Sequence, residues 1–216
     1  MIYAIGNSHA HFFTGSHPGS SVGASKDFTS VSIGPVIAYN FVENHLRTVL
    51  EWLSDDCMVT NFGTKFDLDR NKVLLVVGEV DCRWHIPFQA HQLNLDVIEV
   101  AKICINRFFR VHMFLRERGV KVIAWGGHPS TNSGHNPDPA SPVYGDCLKR
   151  NRTSLFWSDY LAELSNYNGV PFVSICRDLI DSNGYTQMQY FEDYCHLNSA
   201  KLLKLVTERF HTQGLI

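Results

Sequence analysis

The sequence lacks the patterns that mark several specialised classes of protein. Its 216 residues hold 19 lysines and arginines against 21 aspartates and glutamates, a net charge of −2 with the 11 histidines counted as neutral. No basic surplus favours nucleic acid, and no acidic surplus indicates a disordered chain. The longest apolar runs are too short to cross a membrane. We therefore expect neither nucleic acid nor membrane as a partner, and the oligomeric state stays open.

The chain also lacks paired cysteine motifs and a signal peptide. Its six cysteines form no C-x-x-C pair, so no zinc-ribbon or thioredoxin-like spacing is present. Their scatter through the chain is typical of reduced thiols in a cytosol-like compartment. Met1 leads straight into a strand-like sequence without the basic segment of a signal peptide. The sequence therefore predicts a cytoplasmic protein.

No repeat or long linker divides the chain, and its length fits one domain over residues 1–216. Strand-like and helix-like segments alternate along it. The predicted strands lie at about 2–5, 29–33, 72–77, 120–125 and 170–175; the predicted helices lie at about 35–54, 94–118, 152–167 and from 198 or 199 onward; residues 14–26 and 126–146 are predicted loops. This order predicts an α/β fold, a mostly parallel sheet of about five strands with helices on both faces.

The first candidate for chemistry is Ser8, which follows the first strand within Gly6-Asn7-Ser8-His9. In open parallel sheets, ligands bind beyond the carboxyl ends of the strands. A serine on a sharp turn there exposes its hydroxyl and directs its own N–H toward a developing oxyanion. A serine hydroxyl is a weak nucleophile and needs a base. Taken alone, Gly-x-Ser is more often ordinary turn chemistry.

The base is expected in Asp193-Tyr194-Cys195-His196, before the last helix. The spacing of three lets Asp193 accept a hydrogen bond from Nδ1 of His196, which leaves Nε2 free to take the Ser8 proton. The alternative is that Asp193 or His196 only caps the following helix. Paired with Ser8, the catalytic interpretation is the stronger one: Ser8 is the nucleophile, His196 the general base and Asp193 its orienting partner.

Two further strand ends hold candidate residues. Gly34 follows the second strand before a predicted helix, where its N–H either donates to an oxyanion or belongs to a plain turn. Five polar or charged residues between 78 and 85 directly follow an apolar strand, which is typical of a site rather than a core. The candidate substrate-binding residues are Asn7, Glu79, Asp81, Arg83, His85 and His128.

Arg83 has two interpretations. Its guanidinium either holds a substrate carboxylate or hydroxyl, or pairs with Glu79 or Asp81 inside the protein. Trp84, Trp125 and the loop from Gly126 are candidates for the pocket lining, although aromatic residues near strand ends more often serve packing. Cys82-x-x-His85 is at most half of a metal site and no second half lies at a recognised spacing, so neither metal nor cofactor is expected.

Four blocks together resemble the SGNH (GDSL-like) hydrolases: Gly6-Asn7-Ser8-His9, Gly34, Gly78-Glu79-Val80-Asp81 and Asp193-x-x-His196. They come in the family's order and span nearly the whole chain. They look most like a subgroup with a Gly-Asp-Ser-His start and a Gly-Glu-Ile-Asp-x-Arg third block. The resemblance implies a flavodoxin-like three-layer fold and a Ser-His-Asp ester hydrolase, with the N–H groups of Ser8 and Gly34 in the oxyanion hole.

Two positions depart from the family pattern. Asn7 replaces the usual aspartate before the nucleophile. Val80 stands where the family at large has an asparagine that donates to the oxyanion, and valine has no donor. Loss of one such donor costs about 10²–10³ in rate. Asn7 or Arg83 is a candidate to supply the missing hydrogen bond.

Three functions fit these residues. The leading one is a serine esterase acting on small acyl esters, and only the resemblance suggests O-acetyl groups on carbohydrate. An O-acyltransferase would use the same residues and the same acyl-enzyme. A catalytically weak glycan-binding relative is the third, and Val80 is its best support.

Overall fold

The computed structural model describes residues 1–132 and 142–216, and it has a six-stranded sheet between two layers of helices. The strands are β1 (Ile2–Gly6), β2 (Val22–Ala24), β3 (Phe28–Ser32), β4 (Lys72–Val76), β5 (Lys121–Trp125) and β6 (Phe172–Val173). Their order across the sheet is β2-β3-β1-β4-β5-β6. All neighbours run parallel except β2, which pairs with β3 in antiparallel fashion.

The α-helices of the described residues are α1 (Phe41–Asn44), α2 (Leu46–Trp52), α3 (Asp55–Phe62), α4 (Ile86–Leu93), α5 (Val97–Arg116), α6 (Cys147–Tyr167) and α7 (Ser199–Thr212). A 3-10 helix covers Ser8–Phe13, and a π-helical turn covers Asp81–His85 directly before α4. Both short segments begin shortly after a strand of the sheet, so they lie at the edge where ligands bind in this class of fold.

β1 shows how the sheet separates two cores. Each of its residues is buried. Ile2 and Ala4 pack into the core that contains the apolar face of α7, whereas Tyr3 and Ile5 pack into the core formed with α1 to α6. Successive side chains of a strand point to opposite faces, and a parallel strand covered on both faces is apolar throughout. The predicted three-layer α/β fold is thereby confirmed.

The sheet has one strand more than predicted, because β2 lies inside the predicted loop of residues 14–26. This strand has three residues and sits at the edge of the sheet. It is too short to show an alternating pattern, and its central Gly23 packs so closely on Ser16 and Ser30 that a Cβ atom would clash with both side chains. Glycine in a strand often marks such a close approach.

The helix predicted from Pro35 begins only at Phe41. The preceding segment is irregular because Ala38 donates its N–H to both carboxylate oxygens of Asp81, at 3.0 Å each, instead of to a helical carbonyl. The helical part is also divided at His45 into α1 and α2. Residues 34–40 therefore form a loop held against the end of β4.

The other predicted helices are present with shifted ends. α5 begins where the side chain of Asp96 accepts the N–H of Ile98 at 2.8 Å, and α6 begins where Asp146 accepts the N–H of Lys149 at 2.8 Å. Asn198 caps α7 as predicted, by accepting the N–H of Lys201. α3 and α4 were not predicted. Asn94 ends α4 in the left-handed conformation with φ 52°, where the sequence predicts the start of α5.

The remaining global predictions concern the long loop, the cysteines and the membrane. Residues 126–132 and 142–146 form no helix or strand, and residues 133–141 of the predicted loop lie outside the described residues. All six cysteines are free thiols. Among the residues that the structure describes, no helix combines the length and apolar character needed to cross a membrane.

Candidate active site

The structure brings Ser8, His196 and Asp193 into one hydrogen-bonded chain. Ser8 lies half-buried at the start of the 3-10 helix after β1, and Oδ1 of Asn7 accepts the N–H of His9 to begin that helix. Ser8 Oγ lies 2.8 Å from His196 Nε2. On the other side of the imidazole, Nδ1 lies 2.7 Å from Asp193 Oδ2. This is the geometry that nucleophile, base and orienting carboxylate need.

A tight turn fixes Asp193 and His196 relative to each other. Oδ1 of Asp193 accepts the N–H groups of Cys195 and His196 at 2.8 and 2.7 Å, while Glu192 donates its N–H to the carbonyl of His196. Partial burial raises the pKa of Asp193, but these N–H donors and His196 lower it by more, so it lies below its usual value. Asp193 therefore presents an ionised oxygen to the imidazole.

An open cleft of about 760 Å³ lies over Ser8 and His196. Of the predicted site residues, Asn7, Ser8, Gly34, Arg83 and His196 line it. Trp84 and Val80 also lie in its wall. The opposite wall comes from the 34–40 loop and the start of the helices that follow it.

Sequence reasoning missed Asn40, Asn44 and His45, which also line the cleft. Asn40 directly precedes α1, Asn44 is the last residue of α1, and His45 follows it. These polar residues are visible in the sequence, but the prediction of a helix from Pro35 considered only its apolar face. Oδ1 of Asn40 is buried without a hydrogen-bond partner among the described residues.

Ser8 and Gly34 both line the cleft and are the predicted oxyanion donors. The N–H groups of Ser8 and Gly34 have no acceptor within residues 1–132 and 142–216. Gly34 has a φ of +88°, a backbone conformation that residues other than glycine rarely adopt. Val80 forms part of the same cleft and offers no donor, as its side chain dictates. The cleft therefore has backbone donors and an apolar side chain at the position where the family has an amide.

Both proposed replacement donors belong to residues that line the cleft. Nδ2 of Asn7 is buried without a partner among the described residues. Arg83 donates from Nε to Glu79 at 2.7 Å and from Nη1 to the carbonyl of Pro142 at 2.9 Å. The internal pairing of Arg83 with Glu79 is thus present, and Arg83 forms part of the cleft wall as well.

Glu79 is the centre of a buried charged group behind Ser8. Its side chain is 2% exposed, and besides Arg83 it contacts Nε2 of His9 at 3.1 Å. Burial alone would raise the pKa of Glu79, but Arg83 and His9 lower it well below its usual value. His128 packs on His9 with ring centres 4.6 Å apart, and burial lowers its pKa to about 3. Glu79 and His128 therefore lie behind the cleft wall, not in it.

Asp81 and His85 are also buried and do not line the cleft. Asp81 is fully buried, binds Ala38 and has a pKa raised by burial to about 7. His85 is buried against the ring of Tyr39. Trp125 belongs to the core, at 1% exposure. Of the predicted substrate contacts after β4, only Arg83 reaches the cleft.

Among the described residues, two groups of side chains have ligand atoms within 4.8 Å of one another, as metal binding requires: His9, Cys195 and His196, and Asp81, His85 and Cys104. Cys82 of the sequence pair Cys82-x-x-His85 belongs to neither group. Both sets offer nitrogen and sulfur, which suit Zn²⁺.

Solved structures share this fold at low sequence identity. A GDSL-like lipase from Bacteroides thetaiotaomicron aligns with 99% of this chain and 88% of its own, at 13% identity and a TM-score of 0.59. A catalytic mutant of an acetylxylan esterase from Geobacillus stearothermophilus aligns over 99% and 93%, at 11% identity and a TM-score of 0.55. A carbohydrate acetylesterase from Sinorhizobium meliloti aligns over 99% and 97%, at 13% identity and a TM-score of 0.54.

No protein-family model and no curated protein sequence matches the chain. The similarity is therefore structural, and it establishes the fold: this chain has the fold of the GDSL-like hydrolases. The resemblance found in the four sequence blocks is confirmed at that level.

Proposed function

We propose that the protein is a serine esterase that hydrolyses small acyl esters through Ser8, His196 and Asp193. The observation that supports this most strongly is the continuous chain of hydrogen bonds from Ser8 Oγ through the imidazole to Asp193, with both distances below 3 Å. Ser8 and His196 line an open cleft, so a substrate can reach them.

The proposed reaction assigns a step to each group. His196 Nε2 takes the proton as Ser8 Oγ attacks the ester carbonyl, and the N–H groups of Ser8 and Gly34 stabilise the oxyanion. The imidazolium then protonates the leaving alcohol, and an acyl-enzyme on Ser8 remains. In the second half of the reaction, His196 takes a proton from water as the water attacks the acyl-enzyme. The imidazolium then returns a proton to Ser8 Oγ, and the acid is released. Asp193 stays ionised and holds the imidazole in the tautomer with Nδ1 protonated.

For the substrate, we propose O-acetyl groups on carbohydrate. Asn40, Asn44 and His45 give the cleft side chains that donate and accept hydrogen bonds, and Trp84 gives it an aromatic ring. Sugar rings present hydroxyl groups and apolar C–H faces, which suit such a wall. Fold relatives named as acetylxylan esterase and carbohydrate acetylesterase add support.

Hydrolysis of p-nitrophenyl acetate by wild type and Ser8→Ala tests the reaction. We expect the substitution to abolish hydrolysis and leave the far-ultraviolet circular dichroism spectrum unchanged. Ser21→Ala, an exposed serine after the 3-10 helix, is the matched control and should hydrolyse at the wild-type rate. Unchanged hydrolysis in the Ser8 variant would refute the proposal.

Product analysis tests the substrate. Incubation with acetylated xylo-oligosaccharides should release free acetate, and Asn44→Ala should raise KM for the oligosaccharide while leaving p-nitrophenyl acetate hydrolysis nearly unchanged. Transfer of acetyl to an added sugar, with little free acetate, would identify an O-acyltransferase instead. An equal effect of Asn44→Ala on both substrates would contradict the assigned role of this wall.

A further inference from the structure

Two side chains next to the proposed catalytic residues have no part in the proposed reaction. His9 follows Ser8, and Cys195 precedes His196. Their side chains are buried and, with His196, have ligand atoms within 4.8 Å of one another. We propose that His9, Cys195 and His196 form a binding site for Zn²⁺, and that bound Zn²⁺ inhibits the enzyme reversibly. The metal site stands on geometry alone, whereas the inhibition rests on the proposed function.

The distance between Cys195 and His196 suits one metal ion. Cys195 Sγ lies 3.5 Å from His196 Nδ1. With Zn–S about 2.3 Å and Zn–N about 2.0–2.1 Å, sulfur and nitrogen ligands of a tetrahedral zinc are separated by about 3.5 Å. The two adjacent residues therefore already have the spacing of zinc ligands. Asp193 Oδ2, 2.7 Å from the same nitrogen, is within reach as a fourth ligand.

His9 has the hydrogen-bond arrangement of a metal-binding histidine. Its Nε2 contacts the carboxylate of Glu79, while its Nδ1 is buried and has no partner among the described residues. A ligating histidine usually donates its second ring N–H to a carboxylate, which fixes the tautomer and leaves the other nitrogen for the metal. This unpartnered nitrogen is the independent sign of a ligand.

The charges around the three ligands fit a divalent thiophilic cation. Zn²⁺ would displace the thiol proton of Cys195 and release it to water, so the site gains the sulfur–metal bond and loses the S–H bond. The thiolate, Glu79 and Asp193 then carry three negative charges, and Arg83 with Zn²⁺ carries three positive charges.

Metal at this position takes His196 away from its catalytic partners. Nδ1 cannot bind Zn²⁺ and donate to Asp193 at the same time. The neutral imidazole then carries its proton on Nε2, so it can no longer accept the proton of Ser8. Inhibition should therefore be reversed by a chelator.

Cobalt titration of the Ser8→Ala variant tests the site without any need for activity. Added CoCl₂ should bind one ion per chain with a thiolate-to-cobalt charge-transfer absorption. Cys195→Ala in that background should lose the absorption, His9→Gln should weaken binding by at least about tenfold, and Cys104→Ala, from the other metal-capable group, should behave like its parent. No cobalt absorption in the parent, or one that persists without Cys195, would overturn the site.

Inhibition by ZnCl₂ tests the consequence, with each variant compared with its own rate without zinc. We expect Cys195→Ala and His9→Gln to raise the inhibition constant at least about tenfold, and Cys104→Ala to leave it unchanged. Equal inhibition of all variants would place the inhibitory zinc elsewhere and overturn the proposal.

The two experiments distinguish the metal site from the proposed function. If hydrolysis depends on Ser8 but no cobalt binds, the esterase proposal stands and the metal site is refuted. If cobalt binds but nothing is hydrolysed, the metal site stands and the esterase proposal is refuted.

Discussion

At the scale of single residues, Val80 limits the proposed chemistry most. It lies in the cleft wall and has no donor, so the proposed oxyanion hole depends on the N–H groups of Ser8 and Gly34. One oxyanion donor contributes about 2.7–4 kcal/mol to catalysis. The wild-type enzyme should accordingly be slow compared with an enzyme that has all three donors.

Val80→Asn should restore the missing donor. We expect kcat for p-nitrophenyl acetate to rise by up to about 100-fold with little change in KM, because the hydrogen bond strengthens only as the oxyanion forms. Steady-state kinetics measure this, with Val80→Ala as the control that opens the same space without adding a donor. An asparagine variant no faster than the alanine variant would mean that a third donor is already present.

The same residues show what could be predicted at this scale. Ser8, Asp193 and His196 were recognisable because each stands at a strand end or a fixed spacing that gives it a chemical role. Glu79 and His128 were recognisable as unusual polar residues, but sequence does not tell whether a polar side chain faces the cleft or lies behind its wall. That depends on contacts with residues far away along the chain: Glu79 and His128 both pack against His9, and His128 lies within hydrogen-bond distance of the carbonyl of Cys195.

At the scale of elements, the 34–40 loop depends on Asp81. The two carboxylate oxygens of Asp81 hold the N–H of Ala38 and so fix the loop that carries Gly34. This contact joins residues 43 positions apart. It explains why an irregular segment replaces the helix predicted from Pro35. The N–H of Ala38 donates to a carboxylate far away in the sequence, and local helix propensity does not account for such a contact.

Asp81→Ala should therefore disturb both stability and catalysis. Loss of a buried acceptor for backbone N–H costs about 1–3 kcal/mol in the free energy of unfolding, and a displaced Gly34 should lower kcat at least about tenfold. Asp96→Ala is the matched control, because it removes a helix cap at about 1 kcal/mol far from the cleft. Urea unfolding and kinetics separate the two. A folded Asp81 variant with wild-type kcat would show that the loop needs no such anchor.

At the scale of the whole molecule, the buried histidines make stability depend on pH. His112 in α5 is fully buried, and its Nε2 has no partner among the described residues. Burial lowers its pKa to about 4. An unfolded chain takes up the proton near pH 6.5, so between about pH 6.5 and 4 the unfolded state binds more protons and stability falls as pH falls.

His112→Leu should reduce this pH dependence. We expect the loss of unfolding free energy between pH 7 and pH 4 to shrink by up to about 3 kcal/mol, the linkage contribution of one such group. Phe109→Leu, which alters the packing beside the same ring without a titrating group, should shift the curve equally at all pH values. If the unfolding free energies of wild type and His112→Leu changed equally with pH, His112 would not be a source of the pH dependence.

The three-layer architecture was predictable because it depends on patterns that span whole segments. β1, β4 and β5 are apolar runs buried on both faces, and their alternation with helices implies a parallel sheet. Short pieces escaped prediction for the opposite reason. β2 has three residues, and the π-helical turn at Asp81–His85 has five, so neither shows a period of its own. Their geometry follows from the contacts they make.

Labelling with a fluorophosphonate probe tests the central claim most directly, because it reports an activated serine whatever the natural substrate is. Peptide mass spectrometry should find one modification, on Ser8, in the wild-type protein. His196→Ala should lose the label while its fold, checked by circular dichroism, is retained, since the base at 2.8 Å activates the hydroxyl. Absence of label on Ser8, or equal labelling without His196, would contradict a Ser8 esterase.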